Sequence, residues 1–255
     1  MRSNIFKLTA LTLMLFISYS VRCQTVQERL AQLYEKYDSI HFLSFDAEFV
    51  YNSDTIFGKF ENETVYASYT MNGKKSLYNI GNINFMQNDS FFVAVYHDQK
   101  IIMVADPPVK NSGSNLPLRS LMDSMVSVYN SSYTVSQWNE SDTGIIQFLS
   151  STTNVALKKF VIRYNSNEKV FHSIRYEFEE LAEIDSANYK IRQKSLTVNF
   201  KNYRFDKFDN SLYQENNYIY FDDKICKPIT KYKEYKVYNS HSGFNRVIDI
   251  EQPAP

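Results

Sequence analysis

Strict two-residue alternation is the feature that most limits how this chain can fold. Between Leu43 and Tyr51, the side chains of Leu43, Phe45, Ala47, Phe49 and Tyr51 fall on one side of an extended strand, and Ser44, Asp46, Glu48 and Val50 on the other. Successive side chains of a strand point to opposite faces, so the segment reads as one apolar, aromatic face and one wetter face. The pattern recurs. Thr64 to Met71 alternates Val65, Ala67, Tyr69 and Met71 with Thr64, Tyr66, Ser68 and Thr70. Phe160, Ile162 and Tyr164 oppose Lys159, Val161 and Arg163; Ile174, Tyr176 and Phe178 oppose Arg175, Glu177 and Glu179; Leu196, Val198 and Phe200 alternate with polar residues. Many such strands predict a large curved antiparallel sheet whose aromatic face is the working surface.

Composition agrees. Tyr (20) and Phe (19) are abundant and Gly (6) is scarce, which suits strands and argues against glycine-rich phosphate loops. Net charge is zero, with 28 basic and 28 acidic residues, so nothing marks a nucleic-acid partner. The length of 255 residues allows one substantial core.

Residues 1–23 read as a secretory signal peptide, with Arg2 and Lys7 ahead of a short apolar run from Leu8 to Ile17. Its removal with Arg2, Lys7 and Arg22 takes 28 basic residues to 25 against 28 acidic. The mature chain is then expected to be soluble in the periplasm. Acylation of Cys23, giving an outer-membrane lipoprotein, is the alternative, but Arg22 is a poor neighbour for it. Cys226 is the only other cysteine, so an internal disulfide and a cysteine-based metal site are not expected.

Thr25-Val26-Gln27-Glu28 has capping-box spacing, and Val26, Leu30, Leu33, Tyr34 and Tyr37 form one stripe of an amphipathic helix. Asn72-Gly73 is the clearest hairpin signal. Phe91 to Tyr96 is a near-continuous apolar run, followed by a turn at His97 to Gln99 and a returning strand from Lys100 to Val104. Leu118, Leu121, Met122, Met125, Val126 and Tyr129 predict a second helix between two groups of strands. Tyr133 to Trp138, Gly144 to Leu149, Lys158 to Tyr164, Val170 to Glu179 and Ser195 to Lys201 are the later strands. The fold class is therefore α+β: a curved antiparallel sheet, or incomplete β-barrel, with two main helices over its concave face. Residues 24–209 form this half-barrel, and 210–255 a C-terminal extension rich in Tyr and Lys, packed on the outside.

Chemistry is sparse. His41, His97, His172 and His241 lack metal-ligand spacing, and no nucleophile or phosphate motif is present. His172 is expected in a sheet wall beside Val170 and Ile174, and His97 solvated in a turn. Glu177, Glu179 and Glu180 fall on the polar side of their strand and read as a solvated edge rather than an acid–base pair. Neither catalysis nor a cofactor is expected.

The order of elements resembles the periplasmic lipoprotein carrier (LolA-like) superfamily. Leu33 to Phe49 (LYEKYDSIHFLSFDAEF) is similar to its opening helix and first strand, Ala67 to Asn79 (ASYTMNGKKSLYN) to its strand-turn-basic segment, Asp89 to Lys100 (DSFFVAVYHDQK) to its next strand pair, and Lys158 to Phe178 to a later hairpin. The resemblance implies a hydrophobic cavity that shelters a lipid or lipoprotein acyl chain for transfer across the envelope. Its walls would be Phe45, Phe49, Tyr69, Met71, Tyr78, Phe91, Val93, Phe160, Ile162, Ile174, Tyr176 and Phe178, under a lid of Leu118, Leu121, Met122 and Met125. The family's lid-holding Arg has no counterpart here: Lys74 and Lys75 stand in that segment, and Lys lacks the guanidinium fork. The implied partner is a lipid or acylated lipoprotein, with a further envelope protein for the tail, and the chain is expected to be a monomer. The competing expectation is a non-catalytic structural or interaction module of the envelope, whose aromatic face is only core.

Overall fold

The computed structural model describes residues 25–54, 60–108, 133–152, 156–185, 188–223 and 225–243. The signal-peptide assignment, Cys23 and the lid residues Leu118, Leu121, Met122 and Met125 lie outside them.

Among the described residues there is one α-helix, α1 (Val26–Ser39), which starts where the spacing predicts. Thr25 and Glu28 close the capping box: the Glu28 backbone N–H donates to Thr25 Oγ1 at 3.2 Å and the Thr25 N–H to Glu28 Oε2 at 2.8 Å. The strands are β1 (Phe42–Asp54), β2 (Phe60–Asn72), β3 (Lys75–Ile80), β4 (Ile83–Gln87), β5 (Phe92–Tyr96), β6 (Ile101–Ala105), β7 (Tyr133–Glu140), β8 (Thr143–Ser150), β9 (Leu157–Asn165), β10 (Phe171–Asp185), β11 (Asn188–Arg204), β12 (Ile219–Asp222), β13 (Ile225–Pro228) and β14 (Lys236–Asn239). Twelve of them form one curved sheet in the order β14-β6-β5-β4-β3-β2-β1-β11-β10-β9-β8-β7, without closing into a barrel. All its pairings are antiparallel except β14 with β6.

Directly paired residues share a face, so the registers carry each face across the sheet. One row runs Phe45–Tyr69–Tyr78–Phe85–Ala94–Met103–Tyr238. Another runs Phe49–Val198–Ile174–Ile162–Ile146. This inner face carries α1, whose Leu30, Leu33 and Tyr37 are buried against it. The opposite, outer face holds a second core, in which Met86, Val93, Val95, Ile102 and Val104 pack against Tyr218, Ile219 and Tyr232 of the C-terminal segment. The tail therefore packs outside, as its composition predicts. It also joins the main sheet through β14, a long-range parallel pairing that no local pattern announces.

Among the four register shifts of the sheet, two bulges reset the parity where it bears on the inner face. Between Ser44 and Asp46 of β1 the β11 register skips a residue, at Asn202 with φ 56°, so Phe200 and Tyr203 both reach the inner face. Phe45 then meets Tyr69, Phe200 and Tyr203 at ring distances of 5.2, 5.6 and 5.6 Å. A second bulge between Phe171 and Ser173 turns His172 out to solvent, which corrects the expectation of a sheet-wall histidine. Strands β10 and β11 also run longer than their apolar patterns. Beyond the Ser53–Lys194 pairing, where β11 leaves β1, they continue as a two-stranded ribbon, with Lys194 paired to Glu180.

The bulges bring three groups into a closed hydrogen-bond ring. The Phe171 N–H donates to the Tyr37 hydroxyl (3.0 Å), the Tyr37 hydroxyl pairs with that of Tyr203 (3.1 Å), and the Tyr203 hydroxyl donates to the Phe171 carbonyl (3.0 Å). Every donor and acceptor around the ring is used once, and the Tyr37 and Phe171 rings stack at 5.0 Å. Desolvation pushes the Tyr37 phenol up to about 12 and that of Tyr203 higher still. The ring locks the end of α1 onto β10 and β11. Tyr37→Phe leaves the Phe171 N–H buried and unpaired and should cost about 1–3 kcal/mol in urea unfolding, with little change in fold.

Candidate functional site

The inner face has two unlike halves. Under α1, the side chains of Phe160, Ile162, Ile174 and Tyr176 are 1%, 1%, 0% and 6% exposed, which leaves no room for a guest beside them. Leu33 and Leu43, both fully buried, complete this packed half. Gly144 belongs to it, because the Tyr164 ring lies where a side chain at that position would project.

The other half, over β2 to β6, is an aromatic strip. Tyr69 and Tyr78 sit 6.4 Å apart, Tyr78 and Phe85 stack at 5.0 Å, Phe85 and Phe92 stack at 6.0 Å, and Tyr96 meets Phe85 edge-on at 6.5 Å. Tyr78, Phe85, Phe92 and Tyr96 are only half-buried. At the sheet edge, Met103 and Tyr238 are 47% and 49% exposed. Rings clustered over three adjacent rows and left partly exposed form a surface suited to an apolar chain.

The twelve residues expected to line a cavity are thus divided. Phe45, Tyr69, Met71, Phe160, Ile162, Ile174 and Tyr176 belong to the buried core beside α1, with Phe49, Tyr78 and Phe178 half-buried at its margin. Phe91 and Val93 are not part of the inner face at all. Val93 pairs with Met86 and Val104 on the outer face, and Phe91 stacks on Phe221 at 5.7 Å beneath the tail. Within the Phe91–Tyr96 run both faces are apolar, so the sequence offered no contrast to say which side Val93 takes. Phe85, Phe92, Tyr96 and Met103 share the inner face with Tyr78 and are not among the expected wall residues.

The outer face is held by pairing. His97 bonds the Tyr235 hydroxyl at 3.0 Å, and His241 lies 2.8 Å from the Ser90 carbonyl, so both histidines tie down the tail. Glu177 is matched by Arg175 (2.9 Å) and Lys159 (3.8 Å), Glu179 by Lys158 (3.4 Å), and Lys194 holds the Glu180 carboxyl below its usual range. Lys158, Arg175, Glu177, Glu179 and Lys194 border a cavity of about 630 Å³, and another of about 410 Å³ opens beside Glu48, Tyr66 and Lys201. Burial pushes the Cys226 thiol up to about 11, which makes it a poor nucleophile. Among the described residues, no three metal-binding side chains gather.

Comparison with known proteins adds fold likenesses. No family model matches the chain, and no curated protein matches it. Among solved structures, the chain is similar to an outer membrane lipoprotein-sorting protein domain from Vibrio parahaemolyticus, at 8% identity and a TM-score of 0.31, over 74% of this chain and 96% of that one. It is similar to a LolA superfamily protein from Nitrosomonas europaea, at 8% identity and a TM-score of 0.23, over 73% and 98%. It is also similar to the MucA/MucB complex structure from Pseudomonas aeruginosa, at 12% identity and a TM-score of 0.31, over 80% of this chain and 62% of that one. At these identities and TM-scores the likenesses carry no further argument, and what those proteins do is not carried over.

The face assignment makes neighbouring residues behave differently. Val93→Asp places a charge in a sealed core and should cost more than about 3 kcal/mol. Phe92→Ser, one residue away on the open strip, should cost about 1 kcal/mol, measured by thermal unfolding of both variants.

Proposed function

We propose that this protein is an exported, non-catalytic binding protein that holds the acyl chain of a lipid or lipoprotein along the aromatic strip of its inner face. The observation that carries the reading is the strip itself: Tyr78, Phe85, Phe92 and Tyr96 form a connected, half-exposed run beside a fully packed core. A core would have been covered, and isolated surface aromatics would not be stacked in order.

The energetics favour such partial burial. Burying a CH₂ is worth roughly 0.8 kcal/mol, so full enclosure of a 16-carbon chain would gain about 12 kcal/mol before costs. That would approach irreversible binding. A strip open on one side recovers only part of this and lets the chain leave again, which transfer requires. The periplasm is the compartment proposed, with the chain acting as a monomer. The C-terminal segment, residues 210–255, would be an appended unit whose partner is an envelope protein. The runner-up is a non-catalytic structural or interaction module of the envelope whose sheet face is only core and whose tail docks a partner; the packed half under α1 is what favours it.

Native mass spectrometry of the protein purified from its own envelope should show a co-purifying lipid mass that denaturation removes. Phe85→Glu should lower binding of a 16-carbon fluorescent fatty-acyl probe by tenfold or more while the unfolding midpoint changes little. A probe affinity equal to wild type would count against the strip as the ligand surface.

A further inference from the structure

The strip ends at a group of phenols with an unexplained member. Tyr213, in the short 3-10 turn Asn210–Tyr213, is only 1% exposed, yet its hydroxyl has no hydrogen-bond partner among the described residues. The turn is fixed against the β2–β3 hairpin and the end of β4: Asn72 Nδ2 donates to the Phe208 carbonyl and to Asn210 Oδ1, and Asn88 Nδ2 donates to the Tyr213 carbonyl. This holds Tyr213 at the hairpin end of β2 and β3, the strands that carry Tyr69 and Tyr78, whose rings lie 6.4 Å apart. A buried hydroxyl without a partner forfeits about 1–3 kcal/mol, so such groups ordinarily have one.

We infer that the hydroxyls of Tyr69, Tyr78 and Tyr213 form a polar anchor for an uncharged ester or amide carbonyl at one end of the bound apolar chain. The inference rests on the reading of the strip as the ligand surface. Charge selects the class. The register row through Tyr78 holds Phe45, Tyr69, Phe85, Ala94, Met103 and Tyr238, and no cation. The row on one side, from Leu43 and Met71 through Ser76 and Gln87 to Phe92, is also uncharged, and the row on the other side reaches a cation only at Lys236 on the sheet edge. Glu215, beside the turn and held by Asn88 at 2.9 Å, would repel an anion. Lys75 and Arg204 lie near the turn but fall on the opposite face from Tyr78, so among the described residues these inner-face rows offer a phosphate or carboxylate head no cation short of Lys236, whereas a neutral carbonyl needs only a donor. Burial pushes the Tyr213 phenol up to about 12 and raises that of Tyr69 further, so both stay protonated donors at neutral pH.

The test compares three 12-carbon probes on the full chain by displacement of N-phenyl-1-naphthylamine: dodecane, methyl dodecanoate and dodecanoate. Tyr213→Phe removes only the hydroxyl, and because that hydroxyl is unpaired the variant should fold with an unchanged or higher melting temperature. The expected result is that Tyr213→Phe weakens methyl dodecanoate by about five- to tenfold and leaves dodecane unchanged. Dodecanoate should bind wild type more weakly than its methyl ester at pH 8. An ester affinity that does not respond to Tyr213→Phe would mean the hydroxyl holds a structural water only, and would overturn the inference. So would tighter binding of dodecanoate than of the ester. If dodecane displaces the dye but the ester shows no dependence on Tyr213, the acyl-binding reading survives alone; if no probe binds, both fall.

Discussion

The one α-helix among the described residues, α1, cannot by itself cover a twelve-stranded sheet. At 1.5 Å per residue, the 14 residues of α1 make a rod about 21 Å long, while twelve strands spaced about 4.8 Å apart span roughly 50 Å. The helix can therefore shield about half of the strands, and the core beneath it draws on β2, β1, β11, β10, β9 and β8. The hydrogen-bond ring of Tyr37, Tyr203 and Phe171 decides which strands those are, since it pins the end of the helix to the start of β10 and the end of β11. Among the described residues, α1 does not reach the inner face of β3 to β6.

That remainder is not simply unprotected sheet. Its reverse side is sealed by Tyr218, Ile219 and Tyr232, and its edge is extended by β14. Strands β3 to β6 are short, five or six residues each, and would be a weak margin without that backing. The C-terminal segment thus makes an open aromatic surface affordable in stability: one face is fixed, so the other can stay exposed. Function and fold meet in this asymmetry.

Much of this was legible in the residues. The Thr25–Glu28 capping pair set the helix start, the alternation from Leu43 to Tyr51 set the faces of β1, and Asn72-Gly73 marked a real hairpin, with Gly73 at φ 62°. The aromatic inner face and the open sheet followed from the same period. What failed did so where the period was broken or silent. Bulges at His172 and Asn202 shift the parity by one residue, which flips every assignment beyond them. Phe92 to Tyr96 is apolar on both faces because the tail seals one and the aromatic strip occupies the other, so Val93 could not be told from its neighbours. Tyr232, Tyr235 and Tyr238 recur every three residues but do three different things: one is core, one bonds His97, and one lies exposed on the inner face.

The central claim is that a ligand chain lies on the open half of the inner face and not under the helix. Photocrosslinking with a fatty-acyl probe bearing a diazirine near its terminal methyl, followed by peptide mapping, tests it most directly. The account predicts adducts on Tyr78, Phe85, Phe92, Tyr96 and Met103. Adducts concentrated on Phe160, Ile162 or Ile174 would contradict it, because they would require the helix-covered half to open and admit the chain.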